Sequence, residues 1–146
     1  MDDIAPVTHL SESEGWALLR GQPMGRLATA VGNLPDVFPV NFVVDDGGIV
    51  FKTARGSKLL ELLINNQVAF EVDSWEQDLG GWSIVCRGRA RVLEDKAERD
   101  HAASLGLEPW VQTVKTHFVR IDVDHIVGRS FRFGPEPTER VLDSVD

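Results

Sequence analysis

The run Val37-Phe38-Pro39-Val40-Asn41-Phe42-Val43-Val44, Asp45-Asp46-Gly47-Gly48, Ile49-Val50-Phe51-Lys52-Thr53-Ala54-Arg55-Gly56-Ser57-Lys58 sets the architecture of this chain. Its apolar segments are short, rich in β-branched and aromatic residues, and alternate with the period of strands. Asp45 to Gly48 is a turn of residues that tolerate positive φ, so the flanking segments fold back on each other as antiparallel neighbours. A third segment of the same kind, Arg26-Leu27-Ala28-Thr29-Ala30-Val31, precedes them across the turn Gly32-Asn33-Leu34-Pro35-Asp36 and completes an expected three-stranded meander. Pro39 has no amide hydrogen to give to a ladder, which predicts that its strand runs at an edge or through a bulge.

Outward from this run the pattern switches twice to helical spacing. Ser57 to Ile64 reads as a helix ending at Asn65-Asn66, and Asp95 to Leu105 as another with Glu98, Arg99 and Asp100 outward. Near the start, Ser11 and Glu14 have the spacing of a capping box and predict a helix over Glu12 to Arg20, ended by Gly21-Gln22-Pro23. Val68 to Asp73, Trp82 to Leu93 and His117 to Val127 are further strands. Gly88, in the middle of the longest, predicts a bulge or a close approach by another group. About six strands with short helices and no internal repeat give a mainly β chain, a small antiparallel barrel. Its 146 residues suit one domain, with residues 1–9 expected to form a mobile arm and residues 135–146 a mobile tail.

Charge and composition narrow the function. Lys and Arg number 15 against 23 Asp and Glu, a net charge of −8, opposite to what a polyanion binder needs, so no nucleic-acid partner is expected. No apolar window approaches the roughly 20 residues of a membrane span. The opening Met1-Asp2-Asp3-Ile4-Ala5-Pro6 lacks the order of an export signal. Cys86 is the one cysteine, which points to a reduced, cytoplasmic setting. It alternates with Ile84 and reads as a buried, inert thiol. His9, His101, His117 and His125 are scattered without ligand spacing, so no metal site is expected, and no serine sits in a Gly-x-Ser-x-Gly elbow.

Chemistry concentrates in Lys52-Thr53-Ala54-Arg55-Gly56-Ser57-Lys58, where a strand turns into a helix. Three cations fall within seven residues and no carboxylate follows until Glu61. A helix start offers unpaired amides and a positive dipole end, the Thr53 and Ser57 hydroxyls add donors, and Arg55 and Lys58 supply charge, which together suit a phosphate. The order Gly56-Ser57-Lys58 is not that of a Walker loop. The alternative is that Ser57 only caps the helix and the cations are solvated.

Several of these segments together resemble one family. Gly25-Arg26-Leu27-Ala28-Thr29, Pro39-Val40-Asn41-Phe42, Phe51-Lys52-Thr53 with Gly56-Ser57-Lys58, and Val85 with Gly88-Arg89-Ala90 follow the order and spacing of the pyridoxamine 5'-phosphate oxidase-like, flavin-binding split barrels, over roughly residues 15 to 95. The resemblance implies an antiparallel, Greek-key-like split β-barrel that binds FMN. Thr53, Ser57 and Lys58, with Arg55 beside them, become cofactor-phosphate ligands; Val40, Asn41 and Phe42 become neighbours of the flavin ring, and Trp82 and Ser83 fall where the long strand reaches the ring edge. It also implies a homodimer with the cofactor site at the subunit interface and an oxidoreductase acting on a small molecule. The chain departs from the vitamin B6 oxidases: it has no tyrosine and ends its apolar part in Gly128-Arg129-Ser130-Phe131-Arg132-Phe133-Gly134-Pro135, which points away from pyridoxamine phosphate as substrate. F420-dependent reductases and non-enzymatic flavin or haem carriers and sensors, which resemble the same barrel, are the alternatives.

Overall fold

The computed structural model describes residues 5–136. In chain order they form β1 (Val7–Leu10), α1 (Glu12–Arg20), β2 (Met24–Val31), β3 (Leu34–Asn41), β4 (Val43–Asp45), β5 (Gly48–Thr53), α2 (Ser57–Ile64), β6 (Gln67–Glu76), β7 (Gly80–Val92), α3 (Lys96–Ala103) and β8 (His117–Arg132). The strands make one antiparallel sheet in the order β3-β2-β6-β7-β8-β5-β4, with β1 beside β8. Helix α1 starts where its cap predicts. Ser11 Oγ accepts from the Glu14 amide and Glu14 Oε1 from the Ser11 amide, closing the capping box.

The expected meander is corrected at Phe42. Val37 to Val44 is two strands: β3 pairs only with β2, and β4 pairs with β5, at opposite ends of the strand order. Phe42 is 3% exposed and meets Phe70 edge-on at 4.9 Å, while its amide donates to the Pro23 carbonyl. That burial and that bond take the residue out of the ladder and carry the chain from one sheet edge to the other, curling the sheet into a half-barrel. β3 is an edge strand, as Pro39 predicts.

Two further boundaries differ from expectation. Part of the expected N-terminal arm is ordered in β1, which pairs with residues Gly128 to Phe131 of β8. The reason is an open flank: β5 covers β8 only as far as Asp122, and β1 takes the free ladder positions beyond it. For the same reason β8 runs past Val127. Residues 1–4 and 137–146, including most of the expected tail, lie outside the described residues.

Gly88 meets both halves of its expectation. The β7–β8 register shifts between Arg87 and Gly88, and a Cβ at Gly88 would stand 2.1 Å from the Asp122 carbonyl oxygen. The core between sheet and helices holds Leu19, Leu27, Phe51, Phe70, Ile84, Cys86 and Ile121, all fully buried. α2 adds Leu59 and Leu62 to it. α3 covers a smaller cluster of Val50, Leu93 and Ala102. Among the described residues, no helix is long and apolar enough to cross a membrane.

Candidate functional site

Where β5 ends and α2 begins, the chain borders a cleft of about 370 Å³. One wall is the turn from Thr53 to Lys58, a second is the β3 segment Phe38 to Asn41, and the third is the segment between α3 and β8 through Pro109, Val111, Thr113 and Lys115. Gly56, in extended backbone, is the N-cap of α2, and no side chain caps the helix. Ser57 is the first helical residue. Hence the reading of Ser57 as a simple cap does not hold, and the early amides of α2 are left without a side-chain acceptor, in a first turn that has no acidic residue. Such a helix start attracts an anion.

Among the described residues four cations line this cleft, Lys52, Arg55, Lys58 and Lys115, and no carboxylate does. Elsewhere several cations are paired with carboxylates: Arg26 bonds Glu71 and Asp73, Arg91 bonds Asp122 and Glu98, and Arg120 bonds Asp45 and Asp122. The Lys58 ammonium lies 5.6 Å from the centre of the Phe38 ring and that of Lys52 4.9 Å from Phe118. Burial, and then the charge of Lys115, hold the Lys58 ammonium below its ordinary pKa. A bound anion would offset the repulsion from Lys115 and favour the charged ammonium. The Thr53 hydroxyl, buried, donates to the Ala54 carbonyl at 3.2 Å and braces the turn.

Of the residues singled out in the sequence, Val40, Asn41, Thr53, Arg55, Ser57 and Lys58 come together on this cleft. Phe42 does not: its ring is in the core and borders a neighbouring cleft with Leu107 and Trp110. Trp82 and Ser83 sit on β7 opposite Ser130 and Arg129 and line neither cleft. Asn41 is committed to the protein, its Nδ2 donating to the Pro23 carbonyl at 3.1 Å and its Oδ1 accepting from the Trp110 amide at 2.8 Å. Sequence reasoning missed Lys115 and the wall that carries it. A single lysine in a stretch without regular spacing gave no local signal, and its link to Lys58 exists only through the fold. Among the described residues, no group of three or more His, Cys, Asp or Glu is placed to hold a metal.

The family model described as pyridoxamine 5'-phosphate oxidase matches residues 11–130. This chain belongs to that family. It is similar to the FAD-binding protein of Mycobacterium smegmatis, 42% identical with a TM-score of 0.76, over 86% of this chain and 99% of that one. A Corynebacterium glutamicum protein provisionally named a pyridoxamine 5'-phosphate oxidase is 36% identical with a TM-score of 0.78, over 92% and 99% of the two chains. An FAD-binding protein of Mesorhizobium loti is 30% identical with a TM-score of 0.73, over 85% and 97%. The split barrel that the family shares is the curled antiparallel sheet described above.

Proposed function

We propose that this protein binds a flavin nucleotide and uses it in oxidoreduction of a small molecule, with the cofactor's phosphate in the cleft at the start of α2. The observation that carries this is the set of four cations, with no carboxylate among the described lining residues, gathered at an uncapped helix start in a chain of net charge −8. FAD binding in two similar proteins supports it. In this assignment the Ser57 and Lys58 amides, the Ser57 hydroxyl and the Lys58 and Arg55 charges hold the phosphate. Thr53 fixes the turn, and Val40 presents an apolar edge to the ring. The bound flavin supplies the electron chemistry; the chain binds it, orients it and shapes the space for a substrate.

The functional unit in this proposal is a homodimer. Leu60, Leu63 and Ile64 are exposed on α2, and Trp110, Val111 and Val114 are exposed beside the cleft, a larger apolar surface than a lone small domain usually leaves open. Trp82 and Ser83 are outside the cleft of their own chain and are assigned to the cofactor held by the partner. The visible spectrum of the purified protein, followed by mass analysis of what it releases, tests the cofactor, since flavin, deazaflavin and haem differ in both. A flavin is expected. Light scattering is expected to give about twice 16.2 kDa; a monomer that binds flavin at full stoichiometry would refute the shared site.

A further inference from the structure

Two buried side-chain oxygens among the described residues have no hydrogen-bond partner, Thr29 Oγ1 and Glu61 Oε2. They belong to one place, between α2 and the β2–β3 edge of the sheet. Thr29 is 3% exposed and stands opposite Asp36 in the ladder of β2 with β3, so the two side chains share a face of the sheet. Glu61 reaches them from α2. Four residues on, the Asn65 amide donates to the Glu61 carbonyl, and Asn65 Nδ2 donates to the Ala30 carbonyl at 2.9 Å. That bond ties the end of α2 to β2 one residue from Thr29. A hydrogen bond with the Asp36 carboxyl, then burial and the Asp36 charge, push the Glu61 pKa up, and the adjacent Thr29 hydroxyl pulls it back.

Buried polar atoms without partners are rare, and two of them beside a second carboxylate make a place that favours a positive charge. The chain's own cations do not supply it. Among the described residues, no lysine or arginine is paired with Asp36 or Glu61, and Lys58, one turn before Glu61, holds its ammonium over the Phe38 ring. A proton shared by the two carboxyls leaves the Thr29 hydroxyl unserved, whereas a metal ion accepts an oxygen from all three side chains. Every donor is oxygen, which selects a hard cation over zinc or copper. Two carboxylates suffice for an ion that keeps several waters, and the exposed side of Asp36 leaves room for them.

We propose that Thr29, Asp36 and Glu61 form a site for one hydrated divalent cation of the calcium or magnesium kind, which fastens α2 to the edge strand β3. The site stands apart from the flavin assignment and shares no residue with the cleft. It fastens two of the elements that border that cleft.

The test is calorimetric titration of calcium chloride and of magnesium chloride into the full-length, chelator-treated protein at constant ionic strength, with thermal melting midpoints recorded alongside. One ion per chain is expected to bind saturably, and at an ion concentration about 100 times its Kd the midpoint is expected to rise by several degrees. Asp36→Asn and Glu61→Gln are each expected to weaken the ion at least tenfold, and Thr29→Val, which keeps the shape and removes the oxygen, about threefold or more. Glu94→Gln, an exposed carboxylate elsewhere, is expected to bind as wild type does. No saturable binding of either ion overturns the proposal, as does a response in Asp36→Asn and Glu61→Gln equal to that of wild type. A wild-type midpoint that ignores both ions but falls with rising pH, in a way that Glu61→Gln abolishes, also overturns it and assigns the pair a shared proton instead.

Discussion

Replacing Lys58 by alanine is expected to weaken FMN and FAD binding far more than replacing Lys52, although both side chains line the same cleft. Lys58 opens α2, and its ammonium, over the Phe38 ring, stands beside the uncapped amides. A charge-assisted hydrogen bond is worth about 1.5–3 kcal/mol, and 1.4 kcal/mol is tenfold in affinity. With Lys58 half-buried, water screens part of this, and a loss of about 10- to 30-fold is expected. Lys52 belongs to β5, and its ammonium lies over Phe118 on the neighbouring β8, so its removal is expected to cost less than about threefold. The contrast should vanish for riboflavin, which has no phosphate. Fluorescence titration of all three ligands measures it. The pH dependence has a definite sign: burial and Lys115 lower the Lys58 pKa, the neutral amine holds phosphate poorly, and affinity therefore falls on the alkaline side before an ordinary lysine would titrate. Equal and small losses in both variants, or a Lys58→Ala loss that persists with riboflavin, would refute the phosphate assignment.

Other positions test the fold and its charges. Gly88→Ala pushes a methyl toward the Asp122 carbonyl, 2.1 Å away, and is expected to destabilise by about 1–3 kcal/mol, read as a melting midpoint lower by roughly 3–10 °C; an unchanged midpoint would remove the constraint. Glu71 is pushed up to about 7, first by burial, then by the hydrogen bond and charge of Asp73, against the pull of Arg26. The folded chain thus keeps a proton there that the unfolded chain has lost, so this group's contribution to stability falls as pH rises from about 4.5 to about 7. Glu71→Gln should accordingly compare better with wild type at pH 8 than at pH 5 in thermal melts, and a difference that does not change with pH would contradict this. Burial pushes the Cys86 thiol up to about 12, and the residue is fully buried, so a thiol reagent at neutral pH should label it only on unfolding; rapid labelling of the native protein would place it elsewhere.

What the sequence made legible is local chemistry. The Ser11–Glu14 box fixed the start of α1, Pro39 marked the edge strand, Gly88 marked the bulge, and Lys52 to Lys58 exposed the cation-rich turn. What it concealed depends on partners distant in the chain. Val37 to Val44 alternates equally well as one strand or as two, and only the burial of Phe42 against Phe70, with its amide on Pro23, decides for two. Val7 to Leu10 carries little strand signal of its own; it is ordered because β8 has an open flank. Lys115 reaches the site because β8, which starts two residues later, pairs His117 with Thr53 of β5, a pairing distant in the chain; Asn41, expected beside the flavin ring, lines the cleft and bonds Pro23 and Trp110. Trp82 and Ser83 fall outside the cleft, on β7 opposite Ser130 and Arg129, a placement that no local pattern in the sequence could give.

The crystal structure of the protein loaded with FAD tests the central claim most directly. The account predicts density for the phosphate nearer the flavin at the start of α2, within hydrogen-bonding reach of the Ser57 amide and hydroxyl and the Lys58 ammonium. Phosphates lying anywhere else, such as among Arg87 and Arg129 on the outer side of β7 and β8, with the Ser57 to Lys58 turn left to solvent, would contradict it.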